Sequence, residues 1–336
     1  IYLAANNNLA SEAELNLQQI ERNFSSTKGN IIIFATLPNK TPTLYHIKPT
    51  SATKPADRII IKEYPNLNSS DPLTLKNIIE DMKQKFSAKS YGLILWSHAT
   101  GWVPPNVGMI KLKSFGNDAG REMDILDLKN AIPANTFDFI MFDACSMASV
   151  EVLYELKDKT KYFIASPGEV ISQGMPYHLI VDDLLETDQD VYKRIATKYY
   201  DHYNSLTGTF QSATISVVDA SKLQSIAENT KKIIEAQSPL HTDFKRDQLQ
   251  RMDFDRYSNP LIAFDFLDFL ETNYSNEKLE TLRSHIDQAV IYKANTANFN
   301  GFPIHKNSGL TCYITTVLYS GTKPVVLTDC FKNTHN

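Results

Sequence analysis

Short, nearly continuous apolar runs alternate along the first two thirds of the chain with longer stretches in which apolar residues recur every three or four positions. The runs are "IYLAA" (1–5), "NIIIFATL" (30–37), "YGLILW" (91–96), "FDFIMF" (137–142), "KYFIA" (161–165) and "SATISVV" (212–218). Runs of this length without polar alternation predict strands buried on both faces. Residues 9–24 place Leu9, Ala13, Leu17, Ile20 and Phe24 at helical spacing, with Ser11 near the start. "DPLTLKNIIEDMKQKF" (71–86) predicts a helix with Asp71 as its N-cap and Pro72 in its first turn. "TLYHIK" and "RIIIKEY" predict a hairpin pair. Further helices are expected near 124–132, over 146–157 starting at a cysteine, across 176–205, after residue 218, and over 260–272 and 276–293. "LTCYITT" (310–316) predicts a late strand, and the tail beyond about 321 a peripheral strand or loop.

Strands alternating with amphipathic helices give an α/β fold: an open, mostly parallel sheet covered by helices on both faces. That pattern holds over 1–220. Residues 221–336 read as a smaller, mainly helical C-terminal region, and no Pro/Gly/Ser linker marks the boundary.

Composition narrows the function. Of 336 residues, 42% are hydrophobic and 21% charged, as in ordinary folded domains. A formal charge of -4 supplies no excess of cations for nucleic-acid binding. No apolar run approaches the roughly 18 residues of a membrane-spanning helix. The chain opens at Ile1 inside a strand, which suggests that a natural N-terminus has been removed. Three cysteines, Cys145, Cys312 and Cys330, lack CxxC spacing, so neither a disulfide scaffold nor a structural zinc site is indicated. No metal ligand set or cofactor is required by the sequence. Asp182, Asp183, Glu186, Asp188 and Asp190 raise calcium as a ligand, yet they lack EF-hand spacing and read as a solvated acidic face.

Two strand ends carry the chemistry. His98 follows "YGLILWS" and Cys145 follows "FDFIMFDA", and ligands of open parallel sheets bind at the carboxyl ends of strands. A cysteine at the first turn of a helix is stabilised as a thiolate, the nucleophilic form. Taken singly, such a cysteine is more often core filler and such a histidine a hydrogen-bonded surface group. The pairing changes the reading: two reactive side chains stand at equivalent strand ends, 47 residues apart, histidine first. Asp143, two residues before Cys145, falls on the same side of its strand, either facing a ligand or capping the following helix. Trp96 reads as core, and Trp102 as a pocket wall or a loop anchor. The aromatic "FDFLDFL" (264–270) and Cys312 read as core, Cys330 as inert.

The motifs "W-S-H-x-x-G-W" (96–102) and "F-D-A-C-x-M" (142–147) together resemble the clostripain family of cysteine peptidases, relatives of caspases. "YLAANNNL", "FIASPGEV" and "ATISVVDASKL" extend the resemblance over about the first 220 residues. It implies a caspase-like fold and a polypeptide substrate. It further implies His98 as general acid/base, Cys145 as nucleophile, and an oxyanion hole from the backbone N–H groups of Cys145 and Ala99. Asp143 would line the pocket for an Arg or Lys side chain, with Glu169, or Gln173 in its place, as a further pocket residue. Relatives often carry Gly where Ala99 stands. The resemblance also implies cleavage between histidine and cysteine, for which Lys111, Lys113 and Arg121 are the candidate positions, and secretion from or attachment to a bacterial envelope. Two other functions fit the same motifs: acyl transfer to an amine by the same dyad, and binding without catalysis on a degenerate peptidase fold.

Overall fold

The computed structural model describes the chain except for residues 51–53, 103–114, 237–243, 255–261, 275–276, 315–316, 321–322 and 327–336. Lys111, Lys113 and Cys330 lie outside the described residues. In chain order the elements begin with β1 (Tyr2–Ala4), α1 (Ala10–Asn23), β2 (Ile31–Thr36), β3 (Thr43–Lys48), β4 (Asp57–Glu63), α2 (Pro72–Lys85) and β5 (Gly92–Trp96). A small hairpin, β6 (Phe115–Asp118) and β7 (Arg121–Met123), leads to α3 (Ile125–Ala131) and β8 (Phe137–Asp143). Then come α4 (Val150–Leu156), β9 (Thr160–Ala165), α5 (Tyr177–Ile180), α6 (Val191–Asn204), β10 (Thr214–Asp219) and α7 (Leu223–Glu235). The chain continues through β11 (Ala263–Asp265), α8 (Phe266–Asn273), α9 (Leu279–Ala289), β12 (Val290–Asn295), β13 (Asn298–Phe299), β14 (Phe302–Pro303) and β15 (Thr311–Tyr313).

Nine strands form one sheet in the order β12-β10-β9-β8-β5-β1-β2-β3-β4. β2, β1, β5, β8 and β9 run parallel at its centre, while β3, β4, β10 and β12 add antiparallel strands at the two edges. The central runs lack alternation because both faces are covered. Leu93, Leu95, Ile140 and Phe142 enter one core with α2, α3, α4, α7, α8 and α9. Ile94, Trp96, Phe139 and Met141 enter the other with α1, α5 and α6. Each large side chain fully buried in this way contributes roughly 1.5–3 kcal/mol of transfer free energy.

Local chemistry sets the boundaries. Asp71 caps α2 by accepting from the Leu73 N–H at 2.8 Å, with Pro72 following. Three helical expectations are corrected. The helix expected over 146–157 is only α4, capped by Ser149, whose hydroxyl accepts from the Val152 N–H at 3.3 Å. Residues 145–148 form a tight turn instead, and Ser146 takes the left-handed conformation with φ 59°. The helix expected over 276–293 ends at Ala289, and the β-branched "VIYKAN" segment pairs with β10 as the sheet's last strand. Within 260–272, Ala263–Asp265 is strand, with Asp265 capping α8 through the Asp268 N–H.

Candidate active site

Parallel pairing of β5 with β8 sets Trp96 beside Asp143, so the segments carrying His98 and Cys145 leave the sheet side by side at its carboxyl end. Both residues line one cleft of about 330 Å³, together with Asp143, Glu169, Gln173, Gly174, Phe210 and Phe299. A larger cavity of about 550 Å³ opens around the opposite strand ends, beside Asn30, Gly92 and Phe137, and no His or Cys lines it.

The cysteine turn is held from two directions. Ser146 N–H donates to Gly168 O at 2.7 Å and Ala148 N–H to Ser166 O at 2.9 Å, pinning it to the loop after β9. From the C-terminal part of the chain, Thr311 N–H donates to Ala148 O at 3.0 Å and its hydroxyl to Pro167 O at 2.6 Å. Cys145 therefore does not open a helix, and the helix-dipole argument for its thiolate does not apply. Val170 meets the sulfur with both backbone groups: its N–H points at Sγ from 3.3 Å, a contact that favours the anionic sulfur, and its carbonyl accepts from the thiol at 3.6 Å, a contact that favours the protonated form.

Across the cleft, the Ser97 hydroxyl donates to Ala4 O at 2.7 Å and accepts from the Asn117 N–H at 3.1 Å. Gly116 N–H donates to His98 O at 2.9 Å, fixing the histidine's backbone to the β6–β7 hairpin. The imidazole Nε2 lies 2.7 Å from Asn8 Oδ1. Ala99 does not occupy the positive-φ region, so a side chain there is unstrained. That conformation falls on Gly101, φ 74°, where an added Cβ would sit 2.8 Å from Ser146 O. The two turns thus meet backbone to backbone.

Asp143 is 4% exposed. Its carboxylate accepts from the Met175 N–H at 3.1 Å and the Tyr177 hydroxyl at 2.9 Å, and it lies so close to Gly174 that a Cβ there would come within 2.7 Å. Burial pushes its carboxyl up to about 6, against these two donors, which pull it down. It does not cap α4; Ser149 does. Glu169, also buried, accepts from the Phe254 N–H at 2.9 Å.

The remaining positions fall elsewhere. Trp96 is core, its Nε1 donating to Asn16 Oδ1 at 2.9 Å. Trp102 is not among the residues lining the cleft and packs, partly buried, against the core that contains Leu95 and Phe142. Arg121 is exposed in β7, opposite Asp118. Cys312 is buried in β15. The acidic residues of 182–190 are engaged separately: Asp182 with Ser25 and Ser26, Asp183 and Asp188 with Arg194, Glu186 with Lys28, and Asp190 with Lys193. No group of three or more His, Cys, Asp or Glu among the described residues is placed to hold a metal ion.

Asn8, Gly101 and Gly174 escaped the sequence reading. Their signals are present as the polar triplet "NNN", as the glycine of "W-S-H-x-x-G-W" and as the glycine of "SQGMP" after β9.

Comparison with known proteins agrees with this geometry. A search of curated proteins found no match. Among solved structures, an inactive zymogen C11 protease from Parabacteroides distasonis is 30% identical, with TM-score 0.80 over 93% of this chain and 90% of its own. A secreted C11 cysteine protease from Bacteroides thetaiotaomicron, in complex with an irreversible peptide inhibitor, is 25% identical, with TM-score 0.81 over 96% of this chain and 92% of its own. A clostripain from the same species, in complex with the peptide inhibitor BTN-VLTK-AOMK, is 30% identical, with TM-score 0.50 over 59% of this chain and 88% of its own. The sequence model of the Clostripain family, Peptidase_C11, matches residues 1–317, and the chain belongs to that family of cysteine peptidases.

Proposed function

We propose that this protein is an endopeptidase that cuts polypeptides after Arg or Lys, with Cys145 as nucleophile and His98 as general acid/base. The observation that carries this reading is the gathering of His98, Cys145 and the buried Asp143 carboxylate around one cleft. Cys145 Sγ attacks the scissile carbonyl, and its proton passes to His98. The imidazolium then protonates the leaving amine as the C–N bond breaks, and water hydrolyses the remaining thioester. The N–H groups of Cys145 and Ala99 bind the oxyanion, a contribution worth about 3 kcal/mol per donor in comparable sites. A guanidinium or ammonium reaching Asp143 compensates a charge that burial disfavours. Glu169, anchored to Phe254, adds acidic character to the same wall. The lysine in BTN-VLTK-AOMK, the inhibitor bound to one relative, supports a pocket for a basic side chain.

Self-processing belongs to the same reading. The segment between histidine and cysteine carries Lys111, Lys113 and Arg121, and one relative was solved as an inactive zymogen. Cleavage after Lys111 or Lys113 ranks above cleavage after Arg121, whose backbone is paired in β7. Location outside the cytoplasm is proposed from the secreted relative.

The test is a peptide set varied only at the residue before the cut bond, offered to wild type, Cys145→Ala and His98→Ala, with intact-mass analysis of each protein. Hydrolysis after Arg and Lys by wild type alone, with new N-termini at Leu112 or Ser114, supports the reading. Turnover by folded Cys145→Ala overturns it. Transfer to an added amine without hydrolysis identifies an acyltransferase, and no turnover or adduct at all identifies a binding protein.

A further inference from the structure

The triplet Asn6-Asn7-Asn8 follows β1 at the carboxyl end of the sheet, next to the strand that delivers His98. Its first two members help to build the turn. Asn6 Nδ2 donates to Asp118 Oδ1 at 2.7 Å. Asn7 Nδ2 donates to Ala4 O at 3.1 Å and to Asn117 O at 2.7 Å, and its Oδ1 accepts from the Leu9 N–H at 2.9 Å. Asp118 is in turn tied to the Ser69 N–H and hydroxyl, so the turn is fastened to β1, to the β6–β7 hairpin and to the segment before α2. The third member is exposed, and its side chain crosses to His98.

We infer that Asn8 is a positioning residue that fixes the tautomer and ring orientation of His98, the third member of the catalytic arrangement. The inference rests on the dyad reading above. An amide oxygen only accepts, so a contact of 2.7 Å from Asn8 Oδ1 requires the proton on Nε2. The neutral ring then presents Nδ1 as its basic atom, and Nδ1 takes the thiol proton as the sulfur–carbon bond forms. The resulting imidazolium keeps Nε2–H on Asn8 and passes the Nδ1 proton to the leaving nitrogen as the C–N bond breaks. In deacylation Nδ1 takes a proton from the attacking water and returns it to the sulfur as the C–S bond breaks. Protons and bonds balance over the cycle with Asn8 unchanged. An amide in this role holds the ring without adding a charge, whereas a carboxylate would also stabilise the imidazolium.

The test compares Asn8→Ala, Asn8→Asp and His98→Ala with wild type, using a Lys peptide substrate and nitrogen-15 NMR of the imidazole. Asn8→Ala is expected to lower kcat on the order of 10- to 100-fold with KM within about twofold, because loss of the acceptor frees the ring to adopt the other tautomer. Its melting temperature should match wild type, since the side chain is exposed and Asn6 and Asn7 hold the turn. Asn8→Asp should recover most of kcat and move the acidic limb of the pH profile upward, because the carboxylate stabilises the imidazolium and the base must be neutral to act. The NMR spectrum should show Nε2–H in wild type and a mixture in Asn8→Ala. Wild-type kcat in Asn8→Ala, or Nδ1–H as the wild-type tautomer, overturns the assignment while the dyad stands if His98→Ala is inactive. An active His98→Ala would instead remove the dyad itself.

Discussion

The Tyr177 hydroxyl donates to Asp143 Oδ2 at 2.9 Å inside the wall of the cleft, so the acid two residues before Cys145 is held from behind and shielded from water. A carboxylate in that setting is expensive to keep ionised unless a cation reaches it. Asp143 lines the cleft, and the proposed basic substrate would reach it from there.

Replacement of Asp143 by Asn should therefore cost on the order of 3 kcal/mol, about a hundredfold, in kcat/KM toward Arg and Lys peptides. Peptides with a neutral residue at the same position should lose much less. Steady-state kinetics on matched peptides decides it. An equal loss across both classes would show that Asp143 only supports the Met175 and Tyr177 backbone region.

The same group gives a pH signature. Its carboxyl is raised to about 6 by burial, so below that pH the free enzyme carries a neutral Asp143. Toward basic substrates kcat/KM should fall tenfold per unit as pH drops below about 6, in addition to any limb from His98. That additional fall should vanish in Asp143→Asn and for neutral substrates. Profiles that superimpose for both substrate classes would contradict the assignment.

How much of this was visible in the sequence follows from where information is local. The central strands announce themselves because Ile31–Ile33 or Phe139–Phe142 are buried on both faces, and an apolar run needs no context to be read. The cysteine turn reads as helix in the sequence because "CSMASVEVLYEL" contains no Gly or Pro, and the left-handed residue is Ser146, a type that rarely signals it. β12 was hidden by continuity: Ile286 and Ala289 on α9 run directly into Val290 with no break in polarity. Tyr177 and Asn8 act across 34 and 90 residues of sequence, separations that no local pattern encodes.

Gly101 makes a further test of the two meeting turns. With φ 74° and a Cβ position 2.8 Å from Ser146 O, Gly101→Ala must both strain its own backbone and push the residue after Cys145. The backbone strain alone is roughly 1–2 kcal/mol. Denaturant unfolding should show a loss of at least that size, accompanied by reduced kcat. Unchanged stability and turnover would mean that the turns adjust freely.

Glu151, which accepts the Tyr313 N–H at 2.9 Å and so ties α4 to β15, is raised by burial to about 7 from an ordinary value of 4.5. The native state holds this proton more tightly than the unfolded chain, so the group's contribution to stability falls as pH rises from about 4.5 to about 7. Glu151→Gln, neutral throughout, should melt higher than wild type at about pH 8 and show no such gain at about pH 4.5. A difference independent of pH would contradict this.

The most direct test of the central claim is covalent labelling with an electrophilic peptide ending in lysine, read by mass spectrometry of the digested protein. One peptide adduct per chain is expected, located on Cys145, absent from Cys312, formed far more slowly in His98→Ala and suppressed by Asp143→Asn. No adduct on the folded wild type, an adduct on another residue, or labelling at the same rate in all three proteins would contradict it.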